Sequence, residues 1–191
     1  MSLYAIGDTH FSESAGKPMD IFGGAWKDYR NKLVSSFESL LKDEDTLLIC
    51  GDFSWGMSLQ EALEDFRLLC RFPGRKVFLK GNHDYWWTTA SKFYRFCEEN
   101  GFQNMYVLHN NCYFYNEYAL CGTRGWFFEE EGPDKAQNEK ILNREVGRLE
   151  TSLKAAGDKE KLCFLHYPPI FKGYRCPPVL DLVTQYGVTT C

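Results

Sequence analysis

Short apolar runs and amphipathic stretches alternate along the chain, and the apolar runs repeatedly end on polar residues. Residues 2–7 read as a short buried strand. A loop with Ser, Gly and Pro and no clear period covers 11–25. From 26 to 42, Trp26, Tyr29, Leu33, Phe37, Leu40 and Leu41 recur at three- and four-residue steps and predict a helix. Thr46–Cys50 is a second strand. Ser58 with Glu61 three residues on is a capping-box pattern. Leu59, Leu63, Phe66 and Cys70 line one face of the helix it opens, and Pro73-Gly74 stops that helix. Residues 76–80 form the third strand, and a helix over 88–100 is closed by Gly101. The pattern then changes. Runs at 105–108, 112–115 and 118–121 predict three short strands, linked through His109-Asn110-Asn111 and Asn116-Glu117 as hairpins and therefore antiparallel. A loop through Gly132-Pro133 leads to a charged helix over 138–156. A strand at 161–165, a short helix over 178–186 and the beginning of a last strand at 188–191 complete the order.

Composition narrows the classes. The 191 residues, 44% hydrophobic and 25% charged, suit one globular domain with a real core, spanning 1–191. A net charge of −4 and a pI of 5.6 argue against a general nucleic-acid or membrane-surface binder. Phosphate binding then requires local cations or metal. No stretch approaches the roughly 20 apolar residues of a membrane span. The eight cysteines contain no C-x-x-C pair, which speaks against a zinc ribbon or a thioredoxin-type motif. Most lie inside apolar runs, where a thiol packs as a small hydrophobe. The first residues lead straight into a strand pattern with no leader-like segment, so a reduced, cytoplasmic protein is expected.

The chemistry gathers where strands end. Gly81-Asn82-His83-Asp84 follows the apolar run Val77-Phe78-Leu79 and precedes Tyr85-Trp86-Trp87. A glycine frees the backbone where a strand turns sharply. An amide, an imidazole and a carboxylate without a spacer are costly to bury unless something binds them. The same arrangement recurs at Asp8-x-His10, Gly51-Asp52, Thr123-Arg124 and His166, and three of the four histidines occupy such positions. Open α/β sheets bind ligands beyond the carboxyl ends of their strands, so these motifs are expected to converge. Their donors suit Mn, Fe or Zn. Asp8 and His10, two apart on an extended segment, project to one side and chelate one ion. Asp52 bridges two ions, and Asn82 and His166 serve the second. Two ions about 3.5–4 Å apart hold a phosphoryl group, generate a hydroxide nucleophile and stabilise the departing oxygen. His83 suits general-acid or phosphate-binding work, with Asp84 fixing its tautomer and raising its basicity. Arg124 is a candidate phosphate ligand at the rim.

Plainer readings stand beside these. Asp8 and Asp52 also suit turns, His166 a packed core, Asp84 a helix cap and Arg124 an ordinary surface. Trp55, Trp86 and Trp87 suit packing, and the acidic run at 129–131 suits a solvated loop.

In their order and spacing, Gly7-Asp8-Thr9-His10, Gly51-Asp52, Gly81-Asn82-His83-Asp84 and the late His166 resemble the calcineurin-like metallophosphoesterase family, over nearly the whole chain. Each motif alone is weak; the ordered set is specific. The resemblance implies an α/β fold (α+β in some schemes), a four-layer sandwich of mixed β-sheets flanked by helices. It implies a dinuclear metal centre that hydrolyses a small phosphomonoester or phosphodiester. Position by position, it makes Asp8, His10, Asp52, Asn82 and His166 metal ligands, His83 the catalytic histidine and Asp84 its partner. It implies two divalent ions, Mn ahead of Fe and Zn, and no membrane partner. The family pattern finishes with Gly-His-x-His after one more strand, one ligand for each ion, whereas this chain stops at Cys191. Truncated last strands, an incomplete domain and a 188–191 edge suited to self-association are therefore expected. The alternative to a working phosphoesterase is a truncated, catalytically weak or silent domain that binds phosphate or metal. Specificity is expected to lie in 11–27 and 122–137.

Overall fold

Strands rich in apolar residues along their whole length tend to pair in parallel, buried on both faces, and the first four strands do. The computed structural model describes residues 1–127 and 134–191. In it β1 (Leu3–Ile6), β2 (Thr46–Cys50), β3 (Arg75–Leu79) and β4 (Met105–Val107) form one parallel sheet in that order. Contacts divide the chain into two compact units, Met1–Val107 and Leu108–Cys191, and this sheet belongs to the first. β2 and β3 are almost wholly buried. β1, expected to be a buried strand, is only half-buried, with Ala5 exposed. Among the described residues it is an edge strand, paired with β2 alone.

The three helices of this unit are α1 (Tyr29–Leu40), α2 (Leu63–Cys70) and α3 (Ala90–Asn100). α1 starts later than its apolar period predicts. Two 3-10 turns, Met19–Phe22 and Gly24–Trp26, precede it, and Asp28 at φ 56° cannot continue into a helix backwards. The cap expected at Ser58 forms in part: the Glu61 amide donates to Ser58 Oγ at 3.2 Å, while the Glu61 carboxylate accepts from Met57 at 2.9 Å. A turn then intervenes before the regular helix begins at Leu63. α3 ends as expected at Gly101, left-handed at φ 73°, but begins at Ala90 and not at 88, with Thr89 Oγ1 accepting from the Lys92 amide. Phe53, Phe66, Phe78, Trp86 and Phe93 form the centre of this unit's core.

The second unit has a three-stranded sheet in the order β5 (Tyr113–Tyr115), β6 (Tyr118–Thr123), β7 (Glu160–Leu165). β5 and β6 form the expected hairpin, turned at Asn116 with φ 50°. β6 and β7 run parallel, with α4 (Lys135–Ala155) between them in the chain, as a parallel crossover requires. The hairpin expected through His109-Asn110-Asn111 does not form, because β4 pairs with β3 and not with β5. An apolar run declares a strand but not its neighbour. A small hairpin, β8 (Ile170–Phe171) and β9 (Tyr174–Arg175), was not predicted; Lys172 (φ 45°) and Gly173 (φ 87°) turn it. α5 (Pro177–Gln185) follows, and Thr190 bridges to Leu162 of β7. Ala119, Cys121, Leu149, Leu153, Cys163 and Val179 share this unit's core. The expected loop through Gly132-Pro133 and the acidic run at 129–131 lie outside the described residues. Among the described residues, no helix is long and apolar enough to cross a membrane.

Candidate metal centre

The ladder between β1 and β2 continues past the ends of both strands. The Asp8 amide donates to the Gly51 carbonyl at 3.0 Å, His10 to Asp52 at 2.9 Å and Phe11 to Phe53 at 2.9 Å. Thr9 Oγ1 donates to the Phe53 carbonyl at 3.0 Å. These bonds hold Asp8-Thr9-His10 alongside Gly51-Asp52-Phe53. They also hold three L residues in the left-handed region: Asp8 at φ 55°, His10 at φ 44° and Asp52 at φ 53°. Such backbone persists only where its surroundings over-determine it, and it gathers at functional sites. The expectation of an extended Asp8-x-His10 segment is corrected here. The two residues reach one side through left-handed turns held by the ladder. Their side chains converge with that of Asp52. His10 Nε2 lies 3.6 Å from Asp8 Oδ1 and 3.7 Å from Asp52 Oδ2. One ligand atom from each residue lies within 4.8 Å of the others. Asp52 and His10 are buried, whereas the Asp8 side chain is 59% exposed, so the cluster opens to solvent on the Asp8 side.

Asp84 holds this arrangement from behind. Its carboxylate is buried and accepts four N–H donors: Asp52 at 2.8 Å, Phe53 at 2.8 Å, Gly81 at 2.7 Å and the Trp86 indole at 2.8 Å. Burial pushes its carboxyl above the ordinary value, and the backbone donors of Gly81 and Phe53 pull it back. Asp84 therefore joins the end of β2 to the end of β3. It does not orient His83, the role expected for it from sequence: among the described residues the buried His83 Nδ1 has no hydrogen-bond partner. The His83 amide instead donates to Asp52 Oδ1 at 2.8 Å, and its ring lies 5.9 Å from that of His10. Gly81 is needed for space: a β-carbon there would overlap the Asp52 carboxylate and amide. Asn82, half-buried, stands between Gly81 and His83.

Trp55 is the residue that sequence reasoning assigned to packing and the structure sets beside the candidate ligands. Its ring stacks on His10 at 4.7 Å and 20°, and lies 4.8 Å from the ring of His83. Ser54 and Asp65 anchor its loop. Ser54 Oγ donates to Asp65 and accepts from the Gly56 amide at 3.0 Å, and Asp65 also accepts from Glu13 at 2.8 Å. The signal was the position of Trp55, three residues after Asp52 in a polar loop. Trp86 packs in the core as expected.

The remaining candidates lie in the second unit. Arg124 is not an ordinary surface arginine. Its side chain is 13% exposed, pairs with Glu145 at 3.3 Å and lies 4.6 Å from the Trp126 ring centroid. Glu145 is buried and also accepts from Arg148 at 2.7 Å and Thr123 at 2.7 Å. Arg124 thus enters a buried charge network, and among the described residues its buried Nε has no partner. His166, half-buried, follows β7; its amide and that of Tyr167 donate to the Arg124 carbonyl at 3.2 Å and 2.8 Å.

The family described as calcineurin-like phosphoesterase matches residues 1–190. The chain belongs to that family. No curated protein matches it. Three solved structures share the fold of this calcineurin-like phosphoesterase. One is a protein of unknown function from Aquifex aeolicus, 18% identical with a TM-score of 0.50, covering 100% of this chain and 89% of its own. Another is phosphopantetheinyl hydrolase from Mycobacterium tuberculosis, 16% identical with a TM-score of 0.54, covering 96% and 78%. The third comes from Thermus thermophilus, 17% identical with a TM-score of 0.54, covering 97% and 77%. The phosphoesterase fold, of mixed α/β type, is the one the motifs implied.

The family's divalent metal fits the residues present. Two carboxylates and an imidazole converge, one carboxylate is open to solvent, and the backbone that brings them together is strained. Oxygen and imidazole donors of this kind suit Mn, Fe or Zn.

Proposed function

We propose that this chain is a metal-dependent phosphoesterase acting on a small phosphomonoester or phosphodiester. The observation that carries the reading is the convergence of Asp8, His10 and Asp52. A divalent ion there would supply Lewis acidity and would activate water. Asp8, His10 and Asp52 would hold it, with Asp52 fixed by the ladder and by the His83 amide. Asn82 and His166 are the candidate ligands of a second ion on motif order alone. His83, beside His10 and under Trp55, donates a proton to the leaving oxygen or steadies the phosphoryl oxygens. Arg124 is already paired with Glu145, so as a phosphate ligand it ranks behind His83. A reducing, cytoplasmic setting belongs to the same reading, because most of the cysteines lie inside apolar runs and none form a C-x-x-C pair. Self-association through 188–191 belongs to the same reading and is rejected by light scattering that finds monomer alone.

The test is hydrolysis of p-nitrophenyl phosphate and its bis ester by the Mn-loaded chain. His83→Ala is expected to lower kcat by roughly 10²–10⁴-fold, with bound metal unchanged by elemental analysis. Asp52→Asn is expected to lose both metal and activity. An active His83→Ala enzyme sinks the role given to His83. A metal-loaded wild type that turns over neither ester sinks the phosphoesterase reading for this chain.

A further inference from the structure

The sheet of the second unit aligns four cysteines in a row. The register pairs Cys121 of β6 with Cys163 of β7. The antiparallel pairing of Tyr113 with Leu120 sets Cys112 opposite Cys121. The parallel bridge between Leu162 and Thr190 sets Cys191 opposite Cys163, and the Cys163 amide donates to the Thr190 carbonyl at 2.9 Å. Side chains of directly opposed residues share one face of a sheet. Cys121 and Cys163 are buried, Cys112 is half-buried and Cys191 is exposed.

One pair in this row differs from the others. The thiols of Cys163 and Cys191 hydrogen-bond to each other. Donation from Cys163 lowers the Cys191 thiol from its ordinary value, while that bond and burial hold Cys163 well above its own. An exposed thiol thus sits opposite a buried one on the neighbouring strand. Redox-responsive pairs likewise set an accessible attacking cysteine beside a resolving one. Neighbouring strands lie about 4.8 Å apart, inside the roughly 4.4–6.8 Å that the Cα atoms of a disulfide span.

We propose that Cys163 and Cys191 form a reversible disulfide when the protein meets a hydroperoxide, clasping residues 188–191 to β7. The Cys191 thiolate attacks the terminal peroxide oxygen. The O–O bond breaks, an alkoxide or hydroxide leaves, and Cys191 becomes a sulfenic acid. The Cys163 sulfur then attacks the Cys191 sulfur. The S–O bond breaks, the S–S bond forms, and the hydroxyl leaves as water with the proton from Cys163. The two thiols lose two electrons and the peroxide gains them; a dithiol reductant reverses the step. Cys163 lies on the strand that leads to His166, so the clasp acts on that strand. The proposal stands on the second unit's own residues and holds whether or not the chain hydrolyses phosphate esters.

The test treats the full, reduced chain with hydrogen peroxide, blocks remaining thiols with N-ethylmaleimide and maps non-reduced peptides by mass spectrometry. The expected result is a linked pair of peptides joining Cys163 to Cys191, lighter by two hydrogens and reversed by dithiothreitol. Alkylation of Cys191 is lost on oxidation and returns on reduction. In Cys163→Ser, Cys191 is expected to persist as a sulfenic acid trapped by dimedone. In Cys191→Ser, no link to Cys163 forms. Should the buried Cys163→Ser variant misfold, wild type and Cys191→Ser decide between them. Peroxide that leaves both thiols alkylatable overturns the proposal, as does a link from Cys163 to Cys121 or from Cys191 to a second chain.

Discussion

One buried carboxylate, Asp84, takes four N–H donors, three from backbone at the ends of two strands and one from an indole. Truncating it leaves those donors buried and unmet, each costing on the order of 1–3 kcal/mol. Asp84→Ala is therefore expected to destabilise the chain by about 3–5 kcal/mol, read by urea unfolding, comparable to breaking a buried charged pair. A loss under 1 kcal/mol would show that the turn holds Asp52 without it. Gly81 gives a sharper test. Gly81→Ala drives a β-carbon into the Asp52 carboxylate, and metal affinity is expected to fall by roughly 10–100-fold, the usual effect of disturbing what orients a ligand. Titration of Mn into the variant checks it; unchanged affinity would mean that Asp52 yields without penalty. At this scale the identities of Asp8, His10 and Asp52 were legible, because metal-binding residue types at strand ends form a recognisable pattern. The partner of Asp84 was not. Two of its four donors come from residues 31 and 32 positions away, and no local spacing encodes them.

Among the elements, β3 carries an unusual charge. Lys76 is fully buried, and its ammonium donates to the carbonyls of Phe72, Pro73 (3.0 Å) and Gly74 (2.9 Å), around the turn that ends α2. Burial lowers its pKa from 10.5 to about 8. Between those values the unfolded chain holds more protons than the folded one, so this residue's contribution to stability rises as pH rises through the window. That contribution is fully present above 10.5 and is lost as pH falls to about 8. The difference in unfolding free energy between wild type and Lys76→Met is expected to shift in favour of wild type from pH 8 to pH 10.5, by on the order of 3 kcal/mol. Urea unfolding across that range measures it, and a flat difference would place the ammonium's compensation in its three carbonyl partners. The strands and helices themselves were legible from period and capping. Their limits were less so: α1 begins at Tyr29 and not at Trp26, because Asp28 takes a left-handed backbone that periodicity does not register.

For the molecule as a whole, metal binding and folding are linked. An ion that binds the folded Asp8, His10 and Asp52 alone stabilises the first unit by about 2.7 kcal/mol at a hundredfold excess over Kd. Scanning calorimetry is expected to show a Tm raised by Mn and lowered again by a chelator, with no response in Asp52→Asn. A Mn shift of equal size in that variant would locate the ion elsewhere. The sequence alone determined the alternation of strands and helices and the family, since each depends on burial period and motif order along the chain. Tertiary structure alone decided that β4 joins β3, that Asp84 serves Asp52 and not His83, that Arg124 pairs with Glu145, and that Cys163 meets Cys191. Hydrophobic period reports which side of an element is buried. It carries no record of which distant residue lies opposite, and hydrogen-bond partners, strand neighbours and the strained turns at Asp8, His10 and Asp52 are all set by that pairing.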